Sequence, residues 1–499
     1  MARSKNIITL LMVCYATIAF SQENVLLKRE FWKTNPSIQT IDQKIAEGND
    51  ASELNPYAFD PVVYAILENA SSESIIHLLS KEGNDVNKLT HDGRTYIFWA
   101  AYKNNQELVQ YLIDKGAKMN IIDDHGNTVL TFAASAGQTD PKLYDLLLNN
   151  GASINETNRA GASILLLAAP NVSSMDELQY FINKGLSITS TDEAGNGIFN
   201  YTARTGNIDM LNALIEKGAT PTGLNKDNGN AMLFAAQGTR GQSNGLEIYE
   251  FLESKGVNPN VTTREGNTPL HTLAYRNKDE AIFNYFIKKG VDVNQVNDDG
   301  NTALINAAAS SNLSIVTLLA NKTKNINHTN KKGQSALTMA VENNTADVVS
   351  FLLKKGADAS IVDENNNTLL FYTIQSYSQS NEADFDKKLK ILKQNGVSLS
   401  EVQEKENTLY HLAVSKNSKL LLKRVVKMVP KNQLQQKNSD GLTPLHLAAM
   451  NAKDESILKF LISMGADKNT TTDFGETAFD LAQENEQLKA NKTDLTFLK

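Results

Sequence analysis

A glycine returns every 33 to 35 residues along most of this chain, at Gly93, Gly126, Gly161, Gly195, Gly229, Gly266, Gly300, Gly333, Gly441 and Gly475, with one longer step of 37 from Gly229 to Gly266. Between Gly333 and Gly441 the glycine is replaced by Asn366 and by Glu406, each followed by the Asn-Thr that marks the register (Asn367-Thr368 and Asn407-Thr408). Asn enters the left-handed backbone region at little cost, so Asn366 is a mild replacement, whereas Glu406 predicts a distorted turn. A period of this length marks one supersecondary unit repeated many times. Such a unit is too short to bury its own apolar face and must stack on copies of itself.

The unit is clearest in Asp440-Gly-Leu-Thr-Pro-Leu-His-Leu-Ala-Ala-Met450. Asp440-Gly441 is turn chemistry. Thr443 before Pro444 starts a helix, since proline is tolerated in the first turn, where its missing N–H has no partner anyway. Leu445, Leu447, Ala448 and Ala449 give that helix an apolar face. A second helix carries Ile457, Leu458, Phe460, Leu461 and Ile462 and stops at Gly465. This pattern resembles the ankyrin repeat family, a β-turn plus two antiparallel helices with a Thr-Pro-Leu-His-x-Ala motif. The fullest matches are Gly441-Leu-Thr-Pro-Leu-His-Leu-Ala-Ala449 and Gly266-Asn-Thr-Pro-Leu-His-Thr-Leu-Ala274; Gly300-Asn-Thr-Ala-Leu304, Gly333-Gln-Ser-Ala-Leu337 and Gly475-Glu-Thr-Ala-Phe479 are weaker. The second-helix ending recurs in Leu112-Ile-Asp-Lys-Gly-Ala117, Leu147-Leu-Asn-Asn-Gly-Ala152, Leu214-Ile-Glu-Lys-Gly-Ala219 and Leu352-Leu-Lys-Lys-Gly-Ala357. Thr95-Tyr-Ile-Phe-Trp99 and Gly197-Ile-Phe-Asn-Tyr201 keep the size and apolarity but lose the Pro and His. The resemblance implies an all-α ankyrin-repeat solenoid of 13 to 14 helix pairs, including degenerate caps.

Residues 1–21 read as a secretory signal peptide: Arg3 and Lys5, an apolar run from Ile7 to Phe20, and small-residue spacing at Ala19-Phe20-Ser21. Cleavage is expected before Gln22. The chain's one cysteine, Cys14, lies inside this run; Val13 stands where a lipid-anchoring signal wants a small residue, so an anchor is the less favoured reading. No other run approaches the roughly 20 apolar residues that cross a bilayer as a helix. Residues 22–89 are expected to form degenerate N-terminal capping repeats, with polar Gln39, Asp42, Gln43 and Lys44 facing outward. Residues 90–471 form the array, and 472–499 the C-terminal cap. Two insertions break the period between the helices of their units, at 238–245 and 376–385.

The formal net charge is −7, and −9 without Arg3 and Lys5. An acidic chain without long Lys/Arg runs is a poor match for nucleic acid or an anionic membrane. His-Glu-x-x-His and P-loop patterns are missing from the sequence, and no enzymatic activity and no cofactor is expected. His271, His411 and His446 occupy the motif position, where the resemblance implies a hydrogen bond to the turn. His77 is expected to pack within a second helix. His91, His125 and His328 fall at turns and read as solvated turn residues; His91-Asp92 and Asp123-Asp124-His125 lie in adjacent units, which raises and then disfavours a nitrogen–oxygen metal site. Trp99 and Tyr201 read as core.

What remains is a concave face of turn tips and first helices, and the resemblance implies protein–protein binding there by a monomer. The tip residues chosen as carriers of specificity are His91, Asp92, Arg94, Asp124, His125, Asn158, Arg159, Glu193, Lys226, Arg264, Glu265, Asp298, Asp299, Lys331 and Lys332. With the signal peptide, this gives an exported protein-binding scaffold, in a bacterial periplasm before secretion or lipid anchoring. The alternatives are a support factor for a peroxide-defence enzyme of the envelope, a ligand-binding or hydrolytic role using the two insertions, and an exported effector.

Overall fold

The computed structural model describes residues 23–499, so the signal-peptide reading of 1–21 and Cys14 lie outside the described residues. Those residues hold 28 α-helices and short 3-10 turns; extended pairing is limited to isolated bridges such as Thr157 to Ser163 and Thr329 to Ser335. The all-α expectation holds. The helices fall into fourteen consecutive pairs, five in a body ending at Glu193 and nine in a body beginning at Ala194. In each body a helix touches its own partner and the corresponding helices of the units before and after it, as in Tyr96–Tyr102 against Val129–Ser135 and Ala303–Ser310 against Ala336–Asn343. The core is a chain of such local interfaces, so stability is a sum of neighbour terms.

The motif residues explain the first helices. Thr443 is the N-cap of Pro444–Asn451, and its hydroxyl accepts from the His446 backbone N–H. The imidazole returns the contact: His446 Nδ1 accepts from Thr443 N–H at 3.1 Å while Nε2–H donates to the Thr470 carbonyl at 2.9 Å. His271 and His411 do the same, reaching the Asn301 and Leu442 carbonyls at 3.1 and 2.9 Å. Each histidine therefore closes its own helix start and ties it to the next turn. All three are buried, and burial lowers their pKa, that of His411 to about 4. In the same unit Leu445, Ile457, Leu458 and Leu461 are buried, while Leu447, Phe460 and Ile462 are half-buried.

Four expectations need correction. Gly229 is not the left-handed turn residue of its unit: Asn228 takes that place at φ 62°, one residue earlier and 33 residues after Gly195. Asp42 is not purely outward. It accepts from His77 Nε2 at 2.7 Å and pairs with Lys81 at 2.8 Å, so His77 joins two units through a polar contact rather than apolar packing. The 376–385 insertion is only partly a loop, because its last four residues begin the helix Glu382–Gln394, the longest among the described residues. His91 and His328 are not free at their turns, since each bonds a neighbouring unit's carbonyl, Tyr57 and Gly300 respectively, at 2.8 and 2.9 Å. The other turn expectations hold. Asn366 is left-handed at φ 62°, and the unit with Glu406 is distorted, with Lys405 and Glu406 both at φ 58°.

Gly333 shows what a turn glycine does beyond supplying positive φ. A Cβ there would lie 2.8 Å from the Asp363 Cα and 2.8 Å from the Glu364 N, both backbone atoms of the next unit. At Gly356, also left-handed, a Cβ would meet nothing within 4 Å. Gly333→Ala is expected to destabilise by roughly 2 kcal/mol or more, and Gly356→Ala by about 1 kcal/mol from backbone strain alone. Urea unfolding of the two variants checks this; equal losses would mean that close approach of neighbouring turns adds nothing.

Candidate functional site

The turn tips are built by a polar side chain folding its own loop. Asn297 Oδ1 accepts from the Asp299 and Asn301 N–H groups at 3.1 and 2.9 Å, and Asn330 and Asn438 act alike in their units. The amide nitrogen of the same side chain then reaches the preceding tip: Asn225 to Asn196, Asn297 to Asn267, Asn330 to Asn301 and Asn438 to Asn407, all at 2.9–3.0 Å. Backbone rungs run beside them. Asp298 N–H donates to the Glu265 carbonyl, Lys331 to Asp299 and Glu364 to Lys332, at 2.8, 2.9 and 3.0 Å. Neighbouring tips are thus locked by backbone and amide groups, which leaves the side chains between them unused.

In the second body that is where the chosen residues sit. Lys226, Arg264, Glu265, Asp298, Asp299, Lys331 and Lys332 are all exposed, while their backbone belongs to the rungs. A cavity of about 240 Å³ opens beside the last of them, lined by Tyr275, Asp299, Asn306, Lys331, Lys332 and Gln334 among others. Tyr275, 49 % exposed, donates its hydroxyl to Asn306 Oδ1 at 3.0 Å, and Asn306 is held in turn by the His271 carbonyl. Sequence reading missed Tyr275 and Asn306. The available signal was a tyrosine directly after the apolar face of a first helix, where a buried residue is not required.

In the first body the structure brings His91, Asp92, Arg94 and His125 together. The Asp92 carboxylate accepts from Arg94 at 3.1 Å and lies 3.1 Å from His125 Nε2 and 3.3 Å from His91 Nε2. Arg94 is not a surface contact residue, which corrects the sequence reading. It is 7 % exposed, bonds Asp123 through Nε at 2.8 Å, and lies over the Phe132 ring at 4.2 Å and the Trp99 ring at 5.3 Å. A planar guanidinium stacks on aromatics and pairs with carboxylates at once, and that drew it inward. Burial pushes the Asp123 carboxyl up, but hydrogen bonds from the Asn127 backbone and side chain and from Arg94 outweigh it and hold it below the usual carboxylate range. Asn158 is likewise a turn former, accepting from Ala160 and Ala162 N–H at 3.0 Å. Asp124, His125, Arg159 and Glu193 are exposed, with Arg159 donating to the Asp124 carbonyl at 2.7 Å. Among the described residues no group of three or more His, Cys, Asp or Glu is disposed to hold a metal ion. Trp99 is buried as expected, with its indole N–H on Thr90; Tyr201 is half-buried beside Phe234.

The sequence families agree with this geometry. A model described as ankyrin repeats in three copies matches residues 62–158, 233–330 and 381–472, and a second ankyrin model matches 318–372. The chain belongs to the ankyrin repeat family. Its relatives include an NAD-dependent deacetylase of Dictyostelium discoideum, 24% identical over 47% of this chain and 29% of that protein. The E3 ubiquitin-protein ligase KEG of Arabidopsis thaliana is 24% identical over 44% of this chain and 14% of that protein, and the ankyrin repeat protein nuc-2 of Neurospora crassa 26% over 39% and 18%. This ankyrin chain therefore spans less than a third of each of these relatives. Ankyrin repeats mediate protein–protein contact and are in general not themselves catalytic.

Both insertions of the ankyrin array are firmly seated. In the first, Thr239 and Gln242 form a bridge, and Asn244 donates to the Arg204 and Ala235 carbonyls. In the second, Lys388 is 2 % exposed; its ammonium donates to the Val341 carbonyl at 3.0 Å and pairs with Asp384 at 3.3 Å. Asp384 accepts from the Ala346 N–H at the start of the neighbouring second helix. Desolvation lowers the Lys388 pKa against the pull of Asp384. An open depression of about 540 Å³ lies over this group, lined by Asn343, Asn344, Thr345, Ser380, Asn381 and Lys387 among others. The buried lysine and the half-buried aspartate are spent on joining units, which gives them a structural task there.

Proposed function

We propose that this chain is a non-catalytic, exported scaffold that binds a protein through its turn tips and the adjoining first helices. The observation that carries the reading is the division of labour at the tips. Backbone and asparagine amides hold neighbouring units, while Glu265, Asp298, Asp299, Lys331 and Lys332 are exposed without an ion pair among the described residues, the last three of them lining a cavity. A surface so arranged can change its charges without changing its fold. The run of acidic then basic tips suits a charged, extended partner. Export to a bacterial periplasm rests on the character of residues 1–21. A support role for an envelope enzyme of peroxide defence is the narrower form of the same proposal, with that enzyme as partner.

Asp298→Lys with Asp299→Lys is expected to leave unfolding unchanged to within about 0.5 kcal/mol, as for other exposed substitutions. By contrast, Asn297→Ala with Asn330→Ala, which removes the loop-folding bonds and the amide bonds to the preceding tips, is expected to lower stability by about 1 kcal/mol per site. Thermal melts of the two double variants check this. Equal loss in both would place the aspartates in the fold rather than on a free surface.

A further inference from the structure

Between Asn407 and Ser439 the chain has seven Lys and Arg residues and no Asp or Glu. From 382 to 437 it has twelve basic residues against six acidic, in a protein that is acidic as a whole. The sequence hides this, because the lysines are spaced rather than clustered. The fold gathers them on two neighbouring second helices, Glu382–Gln394 and Lys419–Met428. Lys419, Lys423 and Lys427 lie four apart and form one exposed stripe. Lys390 is exposed one turn beyond Asp386 on the facing helix.

Helix stability does not account for this stripe. Lys419 opens its helix, where the N-terminal dipole disfavours a cation, and like charges at i and i+4 repel. Among the described residues no carboxylate lies within 4 Å of Lys419, Lys423 or Lys427. Beside the stripe runs a groove of about 430 Å³, walled by Leu420, Arg424 and Met428 on one side and Glu382 and Asp386 on the other. Leu420 is 43 % exposed. Arg424 is occupied: it bonds Glu382 at 2.6 Å and Asp386 at 2.5 Å, which braces the two helices and fixes the groove.

We propose that this groove and its lysine stripe form a second docking surface, on second helices rather than turn tips, for an acidic segment of a partner protein carrying apolar side chains. The lysines supply charge complementarity and the Leu420–Met428 wall supplies apolar contact. Nucleic acid is a poorer fit. The surface offers no exposed aromatic ring for a base, as Phe385 is buried, and its one guanidinium is already neutralised. A flat anionic membrane is also poorer, since a flat surface cannot enter the groove to reach the Leu420–Met428 wall.

The test is fluorescence anisotropy on the purified protein with a labelled peptide of alternating Glu and Leu pairs, alongside anionic phosphatidylglycerol vesicles and a labelled oligothymidine. The proposal expects saturable peptide binding that weakens at least about tenfold in Lys423→Glu/Lys427→Glu, with an unchanged melt. It also expects that Lys354→Glu/Lys355→Glu, the same charge change on another second helix, has less than about a twofold effect. No peptide binding, equal weakening by both double variants, or vesicles or oligothymidine binding more tightly than the peptide would overturn it.

Discussion

Removing residues 472–499 is expected to turn a well-behaved chain into an aggregating one. The last unit buries Ala478, Leu481, Ala482, Leu488 and Leu498 against the preceding pair of helices, where Leu445, Ala448, Ile457, Leu458 and Leu461 are otherwise covered. Burial of three leucines of this kind contributes on the order of 5–9 kcal/mol. The polar side of the loss is as specific. Asn485 donates to the carbonyls of Ala449, Met450 and Ala452, all at 3.0–3.1 Å, and without it those groups face solvent with an apolar flank beside them. Contacts run only between neighbours, so no distant unit compensates. Light scattering after size-exclusion chromatography reads the outcome. A truncated chain that elutes as the full one does, with an unchanged melt, would show that the final unit is not a cap.

The second large effect concerns acid. In the neutral form His271, His411 and His446 accept a hydrogen bond at Nδ1 and donate one at Nε2. A second proton would have to sit on Nδ1, facing a backbone N–H. Burial accordingly depresses all three pKa values, His411 to about 4. The unfolded chain takes up protons as pH falls through about 6.5, while the folded chain does not until nearer 4 for His411. The stability these residues contribute is therefore complete above about pH 6.5 and drains as pH falls below it. At pH 5 the loss from His411 alone comes to about 2 kcal/mol. Urea midpoints at pH 7.5 and 5 measure it. The variant H271Q/H411Q/H446Q should start lower at pH 7.5 and change less on acidification. The same acid loss in both proteins would assign the effect to other groups.

Much of the fold was legible because the motif residues act locally. Thr-Pro-Leu-His specifies a capped helix within a few residues, and a turn glycine specifies a positive φ whatever surrounds it. Asn366 could be read as a left-handed substitute for the same reason. The slip at Gly229 came from letting glycine outrank its neighbour, although Asn228 bears the left-handed conformation just as well. The site was less legible, since exposure depends on what lies across the unit boundary. Arg94 and Asp298 both look like charged tip residues in one dimension. Phe132 and Asp123 of the next unit draw Arg94 under cover, whereas nothing comparable stands beside Asp298. The lysine stripe escaped for the opposite reason, because residues spaced four apart become a patch only once a helix winds them onto one side.

The central claim is that tip side chains, freed from the fold, recognise a protein. The direct measurement is capture from envelope extract of the source organism by the chain from Gln22 onward, with salt washes, mass spectrometry, and Asp298→Lys/Asp299→Lys alongside. The account predicts one dominant partner that is released by salt and lost with the double variant, while the melt of that variant stays unchanged. Capture of no protein, or of a partner held equally by both proteins at high salt, would contradict it.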